Sequence, residues 1–130
     1  MDKTSVLKTF NNILDNYLDF LENLFPNNYN IKVACTSLKG LKKINPKLLI
    51  QIWKVYIYDK YYNDIECGNF NYFINKDYKE DLVDMYNNKD ILKQIDELKE
   101  PISKSSEENK NKSIKFMQQL TKLSNIYYIS

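Results

Sequence analysis

The sequence predicts an all-α protein in which residues 1–130 form one domain, a bundle of five to seven helices around a central Trp-containing helix. Three observations favour this fold class. Apolar residues recur along the chain at the three- and four-residue spacing that places them on one face of a helix. Gly occurs only twice and Pro three times, which leaves little material for the tight turns of an all-β fold. An apolar content of 43%, including 14% aromatic residues, suffices for a hydrophobic core.

The densest apolar run covers residues 45–62, contains the single Trp and predicts the central helix. Asn45 is expected to cap its N-terminus, and Pro46 suits the first helical position because no hydrogen bond is lost there. Apolar side chains surround most of this helix, which is typical of a helix buried among others. The polar residues spread through the run make it a poor membrane span. The main positions predicted to face inward are Leu49, Ile52, Trp53, Tyr56, Ile57 and Tyr61.

Two helices are predicted before the central one. The first should span residues 3–25, because an apolar stripe covers them and Pro26 follows. About three heptads would fit this stripe, yet its aromatic residues and irregular flanking charges favour a bundle helix over a coiled coil. The second should span residues 30–43, with Gly40 weakening it or ending it early.

Several short elements are predicted after the central helix. They are a left-handed turn at 67–69, an aromatic plug at 70–74, and helices at 77–86 and 89–99. The last helix follows, with inward positions at Ile114, Met117, Leu120, Leu123 and either Ile126 or Tyr127.

The polar stretch before the last helix permits two interpretations. Pro101 should interrupt the helical pattern that precedes it. Ser105 and Glu108 fit a capping box at the start of the last helix. The acidic residues that follow Ser105 and Ser106 would also suit phosphorylation, and we favour the capping interpretation.

The residue types present argue against several kinds of chemistry. The lack of His removes the commonest general base and metal ligand, and a chain with two Gly could hardly build a glycine-rich phosphate loop. Cys35 and Cys67 lie far apart in the sequence with no His beside them, and predict free, half-buried thiols in a reducing compartment. We therefore expect no catalytic residue, no cofactor and no metal ion.

Paired carboxylates are the remaining catalytic option. Asp77 with Asp81, and Glu80 with Asp84, lie four positions apart, so each pair would project from one side of a helix. Such pairs can perform acid–base catalysis or bind a divalent metal. Lysines interleaved among them indicate an ordinary solvated surface instead. The sequence therefore disfavours an enzyme.

A lysine cluster formed by Lys39, Lys42, Lys43 and Lys47 is the candidate for nucleic-acid binding. Tyrosines of the central helix could stack on bases beside it. However, the net charge is only +2 and all 19 basic residues are lysine. Without Arg the chain lacks the best bidentate ligand for guanine and phosphate. Association with nucleic acid is thus the alternative function rather than the leading one.

The leading hypothesis is a non-enzymatic protein–protein interaction module. The chain is rich in aromatic residues for its size, and some of them should lie outside the core as an adhesive patch. The candidates are Tyr58, Tyr62, Tyr127 and Tyr128. The first residues lead straight into an amphipathic pattern without a signal peptide, so an intracellular, soluble protein is expected.

An ordered series of short motifs runs through most of the chain. The series comprises Phe20-Leu21-Glu22-Asn23-Leu24-Phe25-Pro26, Asn45-Pro46-Lys47, Trp53, Cys67-Gly68-Asn69-Phe70 through Phe73, Lys76-Asp77-Tyr78 and Leu120-Thr121-Lys122-Leu123-Ser124. In this series the chain resembles a group of small helical proteins encoded by nucleocytoplasmic large DNA viruses, the giant-virus lineage. These motifs are packing and capping patterns without attached chemistry. The relatives carry Gly-Asp where this chain has Gly68-Asn69, which weakens the case for a functional acid in that turn.

The resemblance implies a viral structural or assembly component with viral or host proteins as partners. It also implies a location in the infected-cell cytoplasm or the virion. The abundance of Asn, Ile, Lys and Tyr agrees with this origin, because AT-rich codons encode these residues. The resemblance carries over no catalytic residues.

Overall fold

The computed structural model describes residues 2–66 and 97–129, and at positions 60–62, 64, 99 and 100 the backbone alone. All regular structure in these two stretches is helical, which confirms the predicted all-α class for them. The turn and the aromatic plug predicted at residues 67–74 lie outside the described residues. So do the helix predicted at 77–86 and most of the one at 89–99.

Five helices are present within the described residues. They are α1 (Lys3–Leu24), α2 (Tyr29–Ile44), α3 (residues 48–66), α4 (Lys99–Ser103) and α5 (Glu107–Ile129). Helix α3 consists of three consecutive segments, which are α-helical at Leu48–Ile52, π-helical at Trp53–Tyr58 and α-helical again at Asp59–Glu66.

Helices α1 and α2 form an antiparallel hairpin whose N-terminal ends are capped by side chains. Asp2 Oδ1 accepts a hydrogen bond from Ser5 N at 2.7 Å, and Asn28 Oδ1 accepts one from Ile31 N at 3.1 Å. Each bond satisfies an amide of the first turn that has no partner within its own helix. The observed bounds of both helices lie within one residue of the predicted ones.

At the junction of α2 and α3 two expectations are wrong, that Gly40 could end α2 early and that Asn45 caps α3. Helix α2 passes through Gly40 without interruption, because the core contacts of its inner side outweigh the cost of one glycine, about 1 kcal/mol. Asn45 does not cap α3, since its N–H donates to Leu41 O at 2.8 Å and makes it the C-cap of α2. Pro46 lies in the intervening turn, and α3 begins at Leu48.

Helix α3 changes its backbone hydrogen-bonding pattern halfway along. In the π-helical segment a bond spans five residues instead of four, as in the bond from Asp59 N to Lys54 O. Apolar periodicity did not predict this segment. Among the inward positions predicted in α3, Tyr56 is only partly buried. Ile50 and Ile65, which were not among those positions, are fully buried.

The connection into the last helix also differs from the prediction. Pro101 lies in the first turn of the short helix α4, where the missing amide hydrogen costs little, and most of the pattern that it was expected to interrupt lies outside the described residues. Ser106 rather than Ser105 caps α5, because its Oγ accepts a hydrogen bond from Asn109 N at 3.2 Å. Ser105 Oγ donates instead to Ile102 O at 2.7 Å. The predicted capping box of Ser105 and Glu108 is therefore wrong, and the capping serine is the next residue along the chain.

Helix α5 packs against α1, α3 and α4, while α1 also contacts α2 and α3. Helices α1 and α5 run antiparallel. The ring of Tyr17 in α1 stacks on Phe116 near the start of α5, with centroids 5.0 Å apart. At the other end of the pair, Lys3 lies over the ring of Tyr127. The hydrophobic core occupies the space that these helices enclose.

Trp53 connects three helices. Its buried ring meets Phe10 of α1 edge to face, with centroids 5.9 Å apart and an interplanar angle of 76°. Its Nε1 donates a hydrogen bond to Thr121 Oγ1 of α5 at 3.0 Å. Ser124 Oγ in turn donates to Thr121 O at 2.7 Å. The apolar pattern did not predict that Ser113, Thr121 and Ser124 would lie on the buried side of α5.

Replacing Thr121 by Val should destabilise the protein by about 1–3 kcal/mol, because the indole N–H of Trp53 would stay buried without a partner. The same replacement in a Trp53→Phe background should cost much less, since that ring has no N–H to satisfy. Chemical denaturation followed by far-UV circular dichroism measures both free energies of unfolding. Equal costs in the two backgrounds would show that the hydrogen bond contributes nothing.

Replacing Gly40 by Ala should stabilise the protein by about 0.5–1 kcal/mol, because glycine loses more backbone freedom on folding than alanine does. An added Cβ would meet no heavy atom of the described residues within 4 Å, so no clash opposes the gain. Gly40→Val is the matched control and should gain less, because a helix restricts its β-branched side chain. Thermal unfolding measures the order, and a loss of stability in Gly40→Ala would contradict the open space.

Candidate protein-binding surface

Three of the four tyrosines predicted to bind proteins lie together at the end of α5 and the middle of α3. Lys54 Nζ lies 4.5 Å from the ring centroid of Tyr58 and 5.9 Å from that of Tyr128. Tyr127 and Tyr128 meet edge to face, with centroids 5.6 Å apart. We call Lys54, Tyr58, Tyr127 and Tyr128 the tyrosine patch. The side chain of the fourth candidate, Tyr62, lies outside the described residues.

The members of the tyrosine patch differ in their exposure. Tyr128 is 43% exposed and Tyr58 is partly buried, so both can contribute to a surface. Tyr127 is only 6% exposed, which corrects its predicted place outside the core and agrees with the inward position in α5 that was also predicted for it. It continues the stripe that buries Leu120 and Ser124 at helical spacing, and its ring contacts that of Tyr128.

Two lysines, Lys3 and Lys54, contact the rings of the patch. Lys54 also pairs with Asp59 of the same helix, which leaves its ammonium group between a carboxylate and two aromatic rings. Lys3 Nζ lies 4.8 Å from the ring centroid of Tyr127. Partial burial raises the pKa of Tyr128, its neighbour Tyr127 adds to the shift, and Lys54 opposes it. Tyr128 therefore stays a neutral hydrogen-bond donor throughout the physiological range.

Exposed apolar side chains adjoin the patch in sequence. Val55 follows Lys54 and is 45% exposed, and Ile129 follows Tyr128 and is 74% exposed. The sequence analysis did not identify Lys54 or Val55 as binding residues. The four-residue spacing of Lys54 and Tyr58 on one helix was the available signal.

The lysine cluster predicted to bind nucleic acid is divided by the fold. Lys39 Nζ lies 2.6 Å from Asp19 Oδ1 and 3.7 Å from Glu22 Oε1, and Lys42 pairs with Asp15. The hydrogen bond to Asp19 raises the pKa of Lys39. These ion pairs join α2 to α1 and neutralise two of the four lysines. Only the other two, Lys43 and Lys47, remain exposed.

The thiol of Cys35 is fully buried, which corrects the expectation of a half-buried thiol. It lies between α2 and α1, and its Sγ donates to Leu18 O at 3.7 Å. Burial raises the pKa of Cys35 to about 12, with a further contribution from Glu22 and opposition from Lys39. The thiol therefore stays protonated and inert at neutral pH. Cys67 lies outside the described residues.

The other candidate sites within the described residues lack grouped catalytic or metal-binding side chains. An open cleft of about 450 Å³ is lined by Phe25, Asn28, Asn30, Glu97, Pro101 and Lys104, a mixed set without paired catalytic groups. Within residues 2–66 and 97–129, no three His, Cys, Asp or Glu side chains are grouped so that they could hold a metal ion. The carboxylates at residues 77–84 lie outside those ranges. Over the same ranges, no helix combines the length and apolar character that a membrane span requires.

Comparison of the chain with models of protein families, with curated proteins and with solved structures gave no match.

Because only two of its four lysines are exposed, the lysine cluster should bind duplex DNA weakly and with little dependence on salt. Each phosphate contact contributes about −0.9 to the slope of log K against log salt, so two exposed lysines give about −2 at most. Fluorescence anisotropy with a labelled duplex of about 20 base pairs measures this slope. The double variant Lys43→Ala/Lys47→Ala should remove what binding there is.

A slope steeper than about −3 that the Lys43→Ala/Lys47→Ala variant leaves unchanged would contradict this expectation. That result would mean that other lysines, or Lys39 and Lys42 released from their carboxylates, contact the DNA.

Proposed function

We propose that this chain is a non-enzymatic protein–protein interaction module that binds its partner through the tyrosine patch. The observation that carries the proposal is the exposed ring of Tyr128, which shares one lysine, Lys54, with the ring of Tyr58. Tyrosines are enriched at protein interfaces because one ring offers both a large apolar surface and a hydroxyl group.

The contacts within the patch support this role. A side chain that is already ordered before binding loses little entropy when a partner arrives. The ring of Tyr127 contacts that of Tyr128, and Lys54 lies over the rings of Tyr58 and Tyr128. Lys54 and Tyr58 also lie in the π-helical segment, an irregularity that is frequent at functional sites.

The proposal extends to the setting and to the architecture. The resemblance to proteins of giant viruses supports a structural or assembly role in the infected-cell cytoplasm or the virion, with viral or host proteins as partners. The contacts of Trp53 with α1 and α5 support a bundle arranged around its helix. The absence of His and Arg from the sequence supports a role without a catalytic step.

Replacing Tyr128 by Ser should remove the partner without unfolding the chain, because that side chain lies partly in solvent. Tagged wild-type and variant proteins would be recovered from infected cells, treated with nuclease and compared by quantitative mass spectrometry. Lys115→Ser is the control, since Lys115 is also exposed on α5 and belongs to neither proposed binding surface. Proteins lost by about tenfold in Tyr128→Ser but retained in Lys115→Ser are the expected partners of the patch.

Two outcomes would contradict the proposal. If nuclease treatment removes all recovered proteins, the chain associates with nucleic acid and the lysine cluster becomes the leading site. If Tyr128→Ser retains every protein that the wild type recovers, the tyrosine patch is not the binding surface.

A further inference from the structure

Helix α2 leaves one of its sides without a partner among the described residues. Its inner side, formed by Ile31, Ala34, Cys35 and Leu38, is buried against the rest of the bundle. On another side three apolar residues are exposed, with Tyr29 at 76%, Val33 at 37% and Ile44 at 84%. We call these three residues, with Thr36 and Gly40 between them, the outer face of α2.

The residues of the outer face form one continuous stripe. At 100° per residue, positions 29, 33, 36, 40 and 44 fall within about 80° of one another. Thr36 is small, and beside Gly40 there is open space, with no heavy atom of the described residues within 4 Å of an added Cβ. The stripe therefore has bulky side chains at its two ends and a shallow notch in the middle. This shape suits the ridge of side chains on another helix.

Lysines are the charged residues that α2 itself places beside the outer face. Helix α2 contains four lysines and no acidic residue. Lys39 and Lys42 pair with carboxylates of α1, whereas Lys32 and Lys43 are exposed beside the stripe. By helical angle both lie on the same edge of the outer face, and Lys32 also lines a cleft with Glu22 of α1. An occupant would thus meet an apolar stripe with two exposed lysines along one edge.

We infer that the outer face of α2 binds an amphipathic helix whose apolar stripe is flanked by acidic residues. Apolar side chains of that helix would contact Tyr29, Val33 and Ile44, and its carboxylates would face Lys32 and Lys43. When one helix packs into the surface of another, the contacting residues are spaced three and four positions apart, as residues 29, 33, 36, 40 and 44 are. The inference adds a second surface to the proposed binding role and does not depend on the tyrosine patch.

Two other occupants fit the surface less well. Two copies of α2 placed face to face would bring lysines against lysines, because α2 itself offers no carboxylate. An anionic membrane would be attracted by the lysines, but a planar surface cannot fill the notch at Gly40. Charge and shape together therefore favour a separate acidic helix.

The test uses the full chain and two fluorescent peptides of about 20 residues, long enough to form a helix. Both peptides carry the same leucine stripe, flanked by Glu in one and by Lys in the other. Fluorescence anisotropy should show a Kd about tenfold lower for the Glu peptide, and this preference should shrink as salt rises. The double variant Tyr29→Ser/Ile44→Ser should raise the Kd of the Glu peptide at least about tenfold.

The control is Val55→Ser/Ile129→Ser, which changes two exposed apolar residues outside the outer face, Val55 at 45% and Ile129 at 74% exposure. It should leave binding of the Glu peptide unchanged. Lys32→Glu/Lys43→Glu should abolish the preference for the Glu peptide and favour the Lys peptide. Circular dichroism and the fluorescence of Trp53 verify that each variant is folded.

Four results would overturn the inference. The first two are equal affinity for the two peptides, and unchanged affinity for the Glu peptide in Tyr29→Ser/Ile44→Ser. The third is a dimer, seen by light scattering, that dissociates in this variant. The fourth is sedimentation of the protein with phosphatidylserine vesicles that is lost in this variant. None of them bears on the tyrosine patch. Failure of that patch would appear instead as partners retained by Tyr128→Ser, so the two proposals fail separately.

Discussion

A buried indole N–H needs a hydrogen-bond acceptor, and much of this fold follows from how Trp53 obtains one. An unpaired polar group in a protein interior costs about 1–3 kcal/mol, which is a large part of the stability of a small domain. Thr121 Oγ1 removes that cost at 3.0 Å and fixes the position of α3 along α5. The same ring system meets Phe10 edge to face, so the position of α1 is tied to the same point. This hydrogen bond explains why a polar residue, Thr121, lies on the buried side of α5.

The π-helical segment lies between two such fixed points on α3. At one end Trp53 is bound to Thr121, and farther along the carbonyl of Ile65 accepts a hydrogen bond from Gln118 Nε2 at 3.0 Å. A regular α-helix allows only one angular relation between positions 53 and 65, whereas a π turn changes it without breaking the helix. The segment also carries Lys54 and Tyr58. The patch is therefore positioned by the same contacts that order the core.

Apolar periodicity predicted the parts of this fold that depend on burial alone. The bounds of α1 and α2 and the burial of Trp53 follow from a spacing that each helix displays by itself. The errors lie where two elements compete for one residue. Asn45 satisfies the end of α2 instead of the start of α3, and Ser106 takes the capping position for which Ser105 also qualified. Apolar periodicity did not predict the π turn, because local sequence does not specify the contacts with α5 that lie on either side of it.

The candidate surfaces were predicted less well, because the role of a lysine or a tyrosine depends on its neighbours in space. Lys39 and Lys42 looked like free cations in the sequence, yet α1 brings Asp19 and Asp15 beside them. Tyr127 and Tyr128 are adjacent in sequence, yet one is core and the other is surface.

Lysine is the only strongly basic residue in the chain, and among the described residues it occupies three different environments. Lys39 and Lys42 join helices through carboxylates, Lys54 lies between aromatic rings, and Lys43 is exposed to solvent. A compact ammonium group on a flexible stem can occupy all three, because it imposes no planar geometry on its partner. On α2 the two ion-paired lysines face α1, whereas the exposed Lys32 and Lys43 lie beside an apolar stripe that the described residues leave exposed. This adjacency of charge and apolar surface supports the proposed binding face more than either feature alone would.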